Sequence, residues 1–193
     1  MISTALRVES GGKGEDRVLV ERVFGGAIVI VCDGAGNSGK GGQAADRAVG
    51  ELARMAKEGF VDWRRALLAV DQLLLKEVPG GETTCVAVRV TDSGECVGAS
   101  AGDSGAWMLP ASRPPEELTR LQSRVRLGSG QANPVLFKAQ LMGRLVIGTD
   151  GLLKYTHLKD LRSRALRGVD ALVEGVRLPG GGFQDDVAAV IVE

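Results

Sequence analysis

AIVIVCDG, residues 27–34, is the stretch on which the fold turns. Six apolar residues run without a polar break, and four of them are β-branched. The run is too short for a buried helix, and it suits a strand covered on both faces. It ends abruptly at Asp33-Gly34. Just upstream, RVLVERV (Arg17–Val23) alternates apolar with polar and reads as a strand, with FGG as a hairpin-sized break between the two.

Downstream, the glycine-rich loop DGAGNSGKGG gives way to a three- and four-residue apolar rhythm. Ala44, Ala45, Ala48, Leu52, Met55 and Ala56 predict a helix over Gln43–Lys57, stopped at Gly59. Trp63–Lys76 predicts a second amphipathic helix, closed by the turn VPGG. Strands then resume at Thr83–Val90, Glu95–Ala101 and Gly105–Leu109, separated by the turns TDSG and GDS. Pro110–Pro134 carries four prolines and reads as an irregular connection with a short strand at Leu118–Leu121. Strands follow at Val135–Gln140 and Arg144–Gly148, around LMG. A long helix is expected over Leu158–Val176, its basic residues Lys159, Arg162, Arg164 and Arg167 forming a solvated face. After PGGGF comes a last strand, Val187–Val192.

Turns of hairpin length imply antiparallel pairing. Strands that are apolar throughout need cover on both faces. The expected fold is therefore α+β: a two-sheet antiparallel β-sandwich flanked by helices, in four αββα layers. The 193 residues suit a single domain, 1–193, with no repeat and no linker. Lys+Arg and Asp+Glu are equal at 24 each, which removes any overall pull toward nucleic acid or acidic lipid. No apolar run approaches the ~20 residues of a membrane span, and the N-terminus lacks the apolar core of a signal peptide. Three cysteines with no CxxC pair, and one histidine, His157, argue against disulfides and against a zinc centre. They suit buried thiols in a cytoplasmic protein.

The chemistry lies at the strand ends. AIVIVC runs into Asp33, GASAG into Asp103, and RLVIGT into Asp150. Asp185-Asp186 precedes the last strand, and Glu15-Asp16 precedes the first. Any one of these is most simply a turn residue. Together they would gather at one rim of the sandwich, where clustered carboxylates must take up protons unless a cation is present. An oxygen-only cluster suits Mg²⁺ or Mn²⁺. Two such ions can activate a water and neutralise a phosphate. Gly34, lacking a Cβ, would let its carbonyl approach an ion.

The same loop admits a second reading. GAGNSGKG (residues 34–41) fits G-x-x-x-x-G-K, but Gly41 stands where a P-loop needs Ser or Thr. A P-loop-type nucleotide-binding protein is the alternative, and its repeated parallel crossovers conflict with the hairpin turns.

GEDRVLV, IVIVCDGAGNSGKGGQAA, GETTCVAVRV, GASAGDSGAWML, LVIGTDGLLKY and DDVAAVIV, taken in order, resemble the metal-dependent serine/threonine protein phosphatases of the PPM (protein phosphatase 2C) family. The similarity spans residues 5 to 192. It implies a hydrolase that removes phosphate from phosphoserine and phosphothreonine in proteins by attack of a metal-bridging water, without a phosphoenzyme. It implies two divalent cations, Mn²⁺ or Mg²⁺, and a third, weaker site. Asp33, Asp150 and Asp185 would be the catalytic ligands. Gly34 would add a carbonyl, Glu15 and Asp16 would support the second ion, and Asp103 would serve the third.

The departures are specific. Gly11 stands where the family carries a phosphate-gripping Arg, leaving Arg7 and Lys13 as the nearest cations, with Lys13 preferred. Ala35 stands in place of a His, and Gly105 in place of an Arg after GDS. The interval between GDSG and TDG leaves room for at most a short flap subdomain. The implied partner is a phosphorylated protein, set against a serine/threonine kinase in signalling. The protein is expected to act as a monomer, without nucleic acid or membrane. A catalytically silent, phosphoprotein-binding member is a further alternative.

Overall fold

The computed structural model describes residues 2–36, 38–58 and 62–193. Eleven strands and five helices are found among them. In chain order they are β1 (Thr4–Glu9), β2 (Asp16–Val23), β3 (Gly26–Ala35), α1 (Gly41–Lys57), α2 (Trp63–Glu77), β4 (Glu82–Thr83), β5 (Cys85–Thr91) and β6 (Glu95–Ala101). They continue with β7 (Gly105–Pro110), β8 (Glu116–Glu117), β9 (Val135–Gln140), β10 (Gly143–Gly148), α3 (Asp150–Leu153), α4 (Leu158–Arg167), α5 (Val169–Glu174) and β11 (Val187–Val192).

Two sheets form, with every strand pair antiparallel. One has the order β1-β11-β10-β7-β8. The other has the order β2-β3-β5-β6-β9, with β4 beside the end of β3. β3 shows why the layers stack as they do. Ile28, Ile30 and Cys32 pack under α1 and α2 with Ala44, Ala48, Leu52, Leu67 and Leu74. Their neighbours Val29 and Val31 point the other way, into a core shared with Leu145, Ile147, Ala188 and Val190 of the second sheet. The far face of that sheet, with Val146, Ala189 and Ile191, is covered by Leu161, Ala165, Leu172 and Val173 of α4 and α5. Three cores thus separate four layers, αββα. Each fully buried Val or Ile contributes about 1.5–3 kcal/mol, enough to offset the ~1–2 kcal/mol cost of fixing its backbone.

The structure departs from the sequence expectations in several places. β1 is an added edge strand, pairing Thr4–Glu9 with Val192–Val187. Its side chains are exposed or half-buried, with Leu6 and Val8 facing solvent, so no buried apolar face marks it. Helix α1 begins two residues early, at Gly41, and its expected stop at Gly59 lies outside the described residues. The strand expected at Leu118–Leu121 is displaced to Glu116–Glu117, which pair with Trp107 and Met108, while residues 118–121 turn. The long helix over Leu158–Val176 is two helices, because the backbone leaves helical conformation at Gly168 (φ 108°). The basic face of α4 is only partly solvated. Arg162 donates to the Pro110 carbonyl (2.7 Å) and Arg164 to the Gly175 carbonyl (2.7 Å).

Among the described residues there is no flap subdomain. Residues 111–134 hold only β8, and Leu127 bridges in antiparallel fashion to Thr83. Among the described residues, no helix is long and apolar enough to cross a membrane. His157 is exposed, immediately before α4.

Candidate active site

Four chain segments that end or begin strands meet at one end of the sandwich. They form a cleft of about 420 Å³ lined by Gly11, Gly12, Lys13, Glu15, Asp33, Gly34, Ala35, Gly36, Arg126, Asp150, Gln184, Asp185 and Asp186. Glu15 and Asp33 come from the β2–β3 sheet. Asp150 follows β10, and Asp185 precedes β11, in the other sheet. Residues up to 175 apart in sequence are brought together because antiparallel strands of both sheets finish at the same edge.

Each carboxylate has its own support. The antiparallel register places Asp16 opposite Asp33. The Asp33 N–H donates to Thr84 Oγ1 (3.1 Å), while its carbonyl accepts from the Thr84 N–H (2.9 Å) and from Thr83 Oγ1 (2.9 Å). Thr84 Oγ1 shares a 2.5 Å hydrogen bond with Ser104 Oγ, which ties the GETT and GDS segments together. Glu15 Oε1 accepts from the Gly42 N–H (3.3 Å) in the first turn of α1, where helix N–H groups favour negative charge. A Cβ on Gly34 would overlap the backbone of Gly41, so close approach of α1 to β3 is a packing reason for glycine there.

Asp16 is buried behind the cleft. Thr149 Oγ1 donates to Asp16 Oδ2 (2.8 Å) and accepts from the Ala188 N–H (2.9 Å). Thr149 therefore clasps one sheet to the other. Asp186 plays a different part from Asp185. Its Oδ1 accepts from the N–H groups of Gly11 (2.8 Å) and Gly12 (3.2 Å) and from Ser10 Oγ (3.1 Å), and its Oδ2 accepts from the Glu15 N–H (2.7 Å). It folds the 10–15 loop onto β11. Asp103 lies beside the cleft, in a groove with Arg124, Asp150, Leu153 and Lys154.

The electrostatics follow from this crowding. Burial, then the charge of Asp33, pushes the Asp16 carboxyl up to about 8. Burial, then Asp150, Asp185 and Asp103, pushes Asp33 up to about 7, against the opposing pull of Arg126. Burial, then Asp103 and Asp185, also raises Asp150. Asp186 goes the other way: burial would raise it, but its backbone and Ser10 donors outweigh that and lower it.

The donor set fits a hard divalent cation. It is all oxygen, its carboxylates repel one another, and Asp16 Oδ1 is buried with no hydrogen-bond partner among the described residues. The carboxylates line an open cleft; no three His, Cys, Asp or Glu side chains among the described residues close into a cage.

Of the cations expected near phosphate, Arg7 is engaged by Glu9, Asp170 and Glu174, tying β1 to α5. Lys13 lines the cleft but is 73% exposed, with Nζ 3.8 Å from Glu15 Oε2. Sequence reasoning missed Arg126, which enters the cleft from the irregular connection, and it missed the Thr149 clasp. It also missed Asp71 of α2. This buried carboxylate accepts from the N–H groups of Gly128 (2.8 Å), Gly130 (3.0 Å) and Ala132 (3.3 Å). A charged residue in the apolar stripe Trp63, Ala66, Leu67, Val70, Leu74 was the available signal.

The nucleotide-binding alternative is not favoured. Lys40 Nζ donates to the Pro79 carbonyl (3.2 Å), and the sheets contain no parallel pair among the described residues.

A bacterial serine phosphatase of known structure superposes on the whole chain with a TM-score of 0.81 at 19% identity, covering 97% of that chain. The catalytic domain of the serine/threonine protein phosphatase PstP, in complex with two manganese ions, gives 0.73 at 19% identity, covering 100% of this chain and 97% of that one. A serine/threonine phosphatase from Staphylococcus aureus gives 0.79 at 18% identity, covering 100% and 94%. No protein-family model and no curated protein matches the sequence. The four-layer architecture is the fold of these serine/threonine phosphatases. In particular it is the fold of the bacterial PPM type, here without a flap.

Proposed function

We propose that this chain is a compact PPM-type phosphatase that hydrolyses phosphoserine and phosphothreonine in proteins, dependent on two divalent cations. The observation that carries the reading is the meeting of Asp33, Asp150, Asp185 and Glu15 at one cleft of a phosphatase fold. Asp33, Asp150 and Asp185 would hold the ions, with the Gly34 carbonyl, Glu15 and Asp16 assisting and Asp103 serving a third, weaker position. When bound, Mn²⁺ or Mg²⁺ supplies Lewis-acid activation of a water and neutralises the phosphate oxygens.

The remaining chemistry belongs to the chain. Ser104 Oγ is held by Thr84, and Cys32 is wholly buried beneath Asp33, so neither is placed to attack phosphorus. This supports direct displacement by water without a phosphoenzyme. Asp186 fixes the loop that carries Glu15. Thr149 holds Asp16 in place across the two sheets. Lys13 at the rim adds positive charge where a dianion must approach carboxylates. The partner is a phosphorylated protein made by a serine/threonine kinase, and the enzyme acts as a cytoplasmic monomer in signalling.

The test is Mn²⁺-dependent release of phosphate from a phosphothreonine peptide. Asp33→Asn is expected to lower turnover by about 10³-fold or more with the fold retained. Peptide binding without turnover in the wild type would instead identify a silent, phosphoprotein-binding protein.

A further inference from the structure

A phosphate monoester brought into a cleft walled by carboxylates needs a fixed cation on the protein side. Two basic residues line the cleft among the described residues, Lys13 and Arg126. The wall around Gly11 cannot supply one. A Cβ there would overlap the Asp185 carbonyl, and the Gly11 N–H is already given to Asp186. Lys13 is on a mostly exposed side chain and leans toward Glu15.

Arg126 is placed otherwise. Its chain neighbour Leu127 is fully buried and exchanges both backbone hydrogen bonds with Thr83 (2.9 and 3.0 Å). Thr83 in turn donates its hydroxyl to the Asp33 carbonyl. On the other side, Asp71 grips the backbone of 128–132. The residue is thereby strapped beside Asp33 from two directions, and its charge is felt there. Yet its guanidinium makes no ion pair and no hydrogen bond among the described residues, and its Nε is buried without a partner. Other arginines, such as Arg7, Arg17, Arg47 and Arg54, are paired with carboxylates. A buried donor left unpaired is costly unless a ligand satisfies it.

We infer that Arg126 is the residue that grips the phosphate of the substrate, its planar fork meeting two phosphate oxygens while the ester is held over the carboxylates. This deepens, and rests on, the phosphatase reading above. The backbone that carries Arg126 is set in place before the substrate arrives, so only the side chain remains to be ordered on binding.

The experiment uses the full, Mn²⁺-loaded chain. It measures inorganic phosphate binding by calorimetry, KM and kcat on a phosphothreonine peptide, and Mn²⁺ affinity, for wild type, Arg126→Met, Arg126→Lys and Lys13→Met. Arg126→Met is expected to weaken phosphate binding and raise KM by about tenfold or more, with Arg126→Lys intermediate and Lys13→Met smaller. Mn²⁺ affinity in Arg126→Met should hold or tighten, because a positive neighbour of Asp33 has gone. Unchanged phosphate binding in Arg126→Met, a larger loss in Lys13→Met, or a loss explained by weakened Mn²⁺ binding would each overturn the assignment. A wild type that binds phosphate but releases none from the peptide overturns the hydrolytic reading alone, and Arg126 is then judged on binding. A wild type that neither binds nor hydrolyses overturns both.

Discussion

Asp33 and Asp16 face each other across a β-ladder, and their protonation sets a measurable property of the cation-free protein. Both folded-state values lie above the ordinary 3.8, at about 7 and about 8. Groups raised in this way hold protons in the folded chain that the unfolded chain has already lost. Their contribution to stability is complete below about pH 4 and disappears as pH rises through 7 to 8. The melting temperature of EDTA-treated protein should therefore fall by several degrees between about pH 5 and pH 8.5. Mn²⁺ added at about pH 8 should restore it, since a cation bound only by the folded state stabilises that state. Asp186 is depressed and acts in a separate window, its contribution lost only on stronger acidification. A flat melting profile with and without Mn²⁺ would contradict this account of the cleft. At this scale the acidic residues were legible because Asp is out of place at the end of an apolar strand. Thr149 and Arg126 were not: a threonine in a strand end and an arginine in a proline-rich loop are ordinary until the fold shows what they touch.

Among the elements, the connection between β7 and β9 shows how a long segment without much regular structure is kept in place. Asp71 on α2 satisfies three of its backbone N–H groups, and Leu127 is a buried anchor. Replacing Asp71 with Ala strands those donors. The expected cost is about 3 kcal/mol, or roughly 6–12 °C in melting temperature, with new protease cleavage within residues 111–134 as a second readout. Equal stability and an unchanged digestion pattern would show that the strap is not needed. Strands covered on both faces were readable from their unbroken apolar runs, β3 and β11 above all. β1 was not, because an edge strand with exposed side chains carries no such run. The division of the last long helix was hidden too, since the apolar rhythm passes through Gly168 without a break and only the backbone angle reveals the corner.

For the molecule as a whole, three cores between four layers cover both faces of the central strands. The three cysteines are all free and buried within them. Burial, with Cys32 as a hydrogen-bonding neighbour, drives the Cys85 thiol well up, and burial puts Cys96 at about 11. All three should resist an aromatic disulfide reagent in the native protein and react together once guanidinium unfolds it. Fast reaction of any one under native conditions would mean that a layer opens locally. The order of layers was deducible from sequence, whereas the junction between the two sheets was not, since no residue pattern states how one sheet is rotated or slid over another. That junction passes directly beneath the cleft: Asp33 lies in one sheet and Glu15 just before its strand β2, while Asp150 follows β10 and Asp185 precedes β11 of the other. The opposing walls of the cleft are therefore set by hydrophobic side chains such as Val29, Val31, Ile147 and Val190, which lie between the sheets. A methyl group gained or lost in that greasy seam would change the gap between opposing acids, so the spacing of the cleft carboxylates is open to tuning by residues that do not line it.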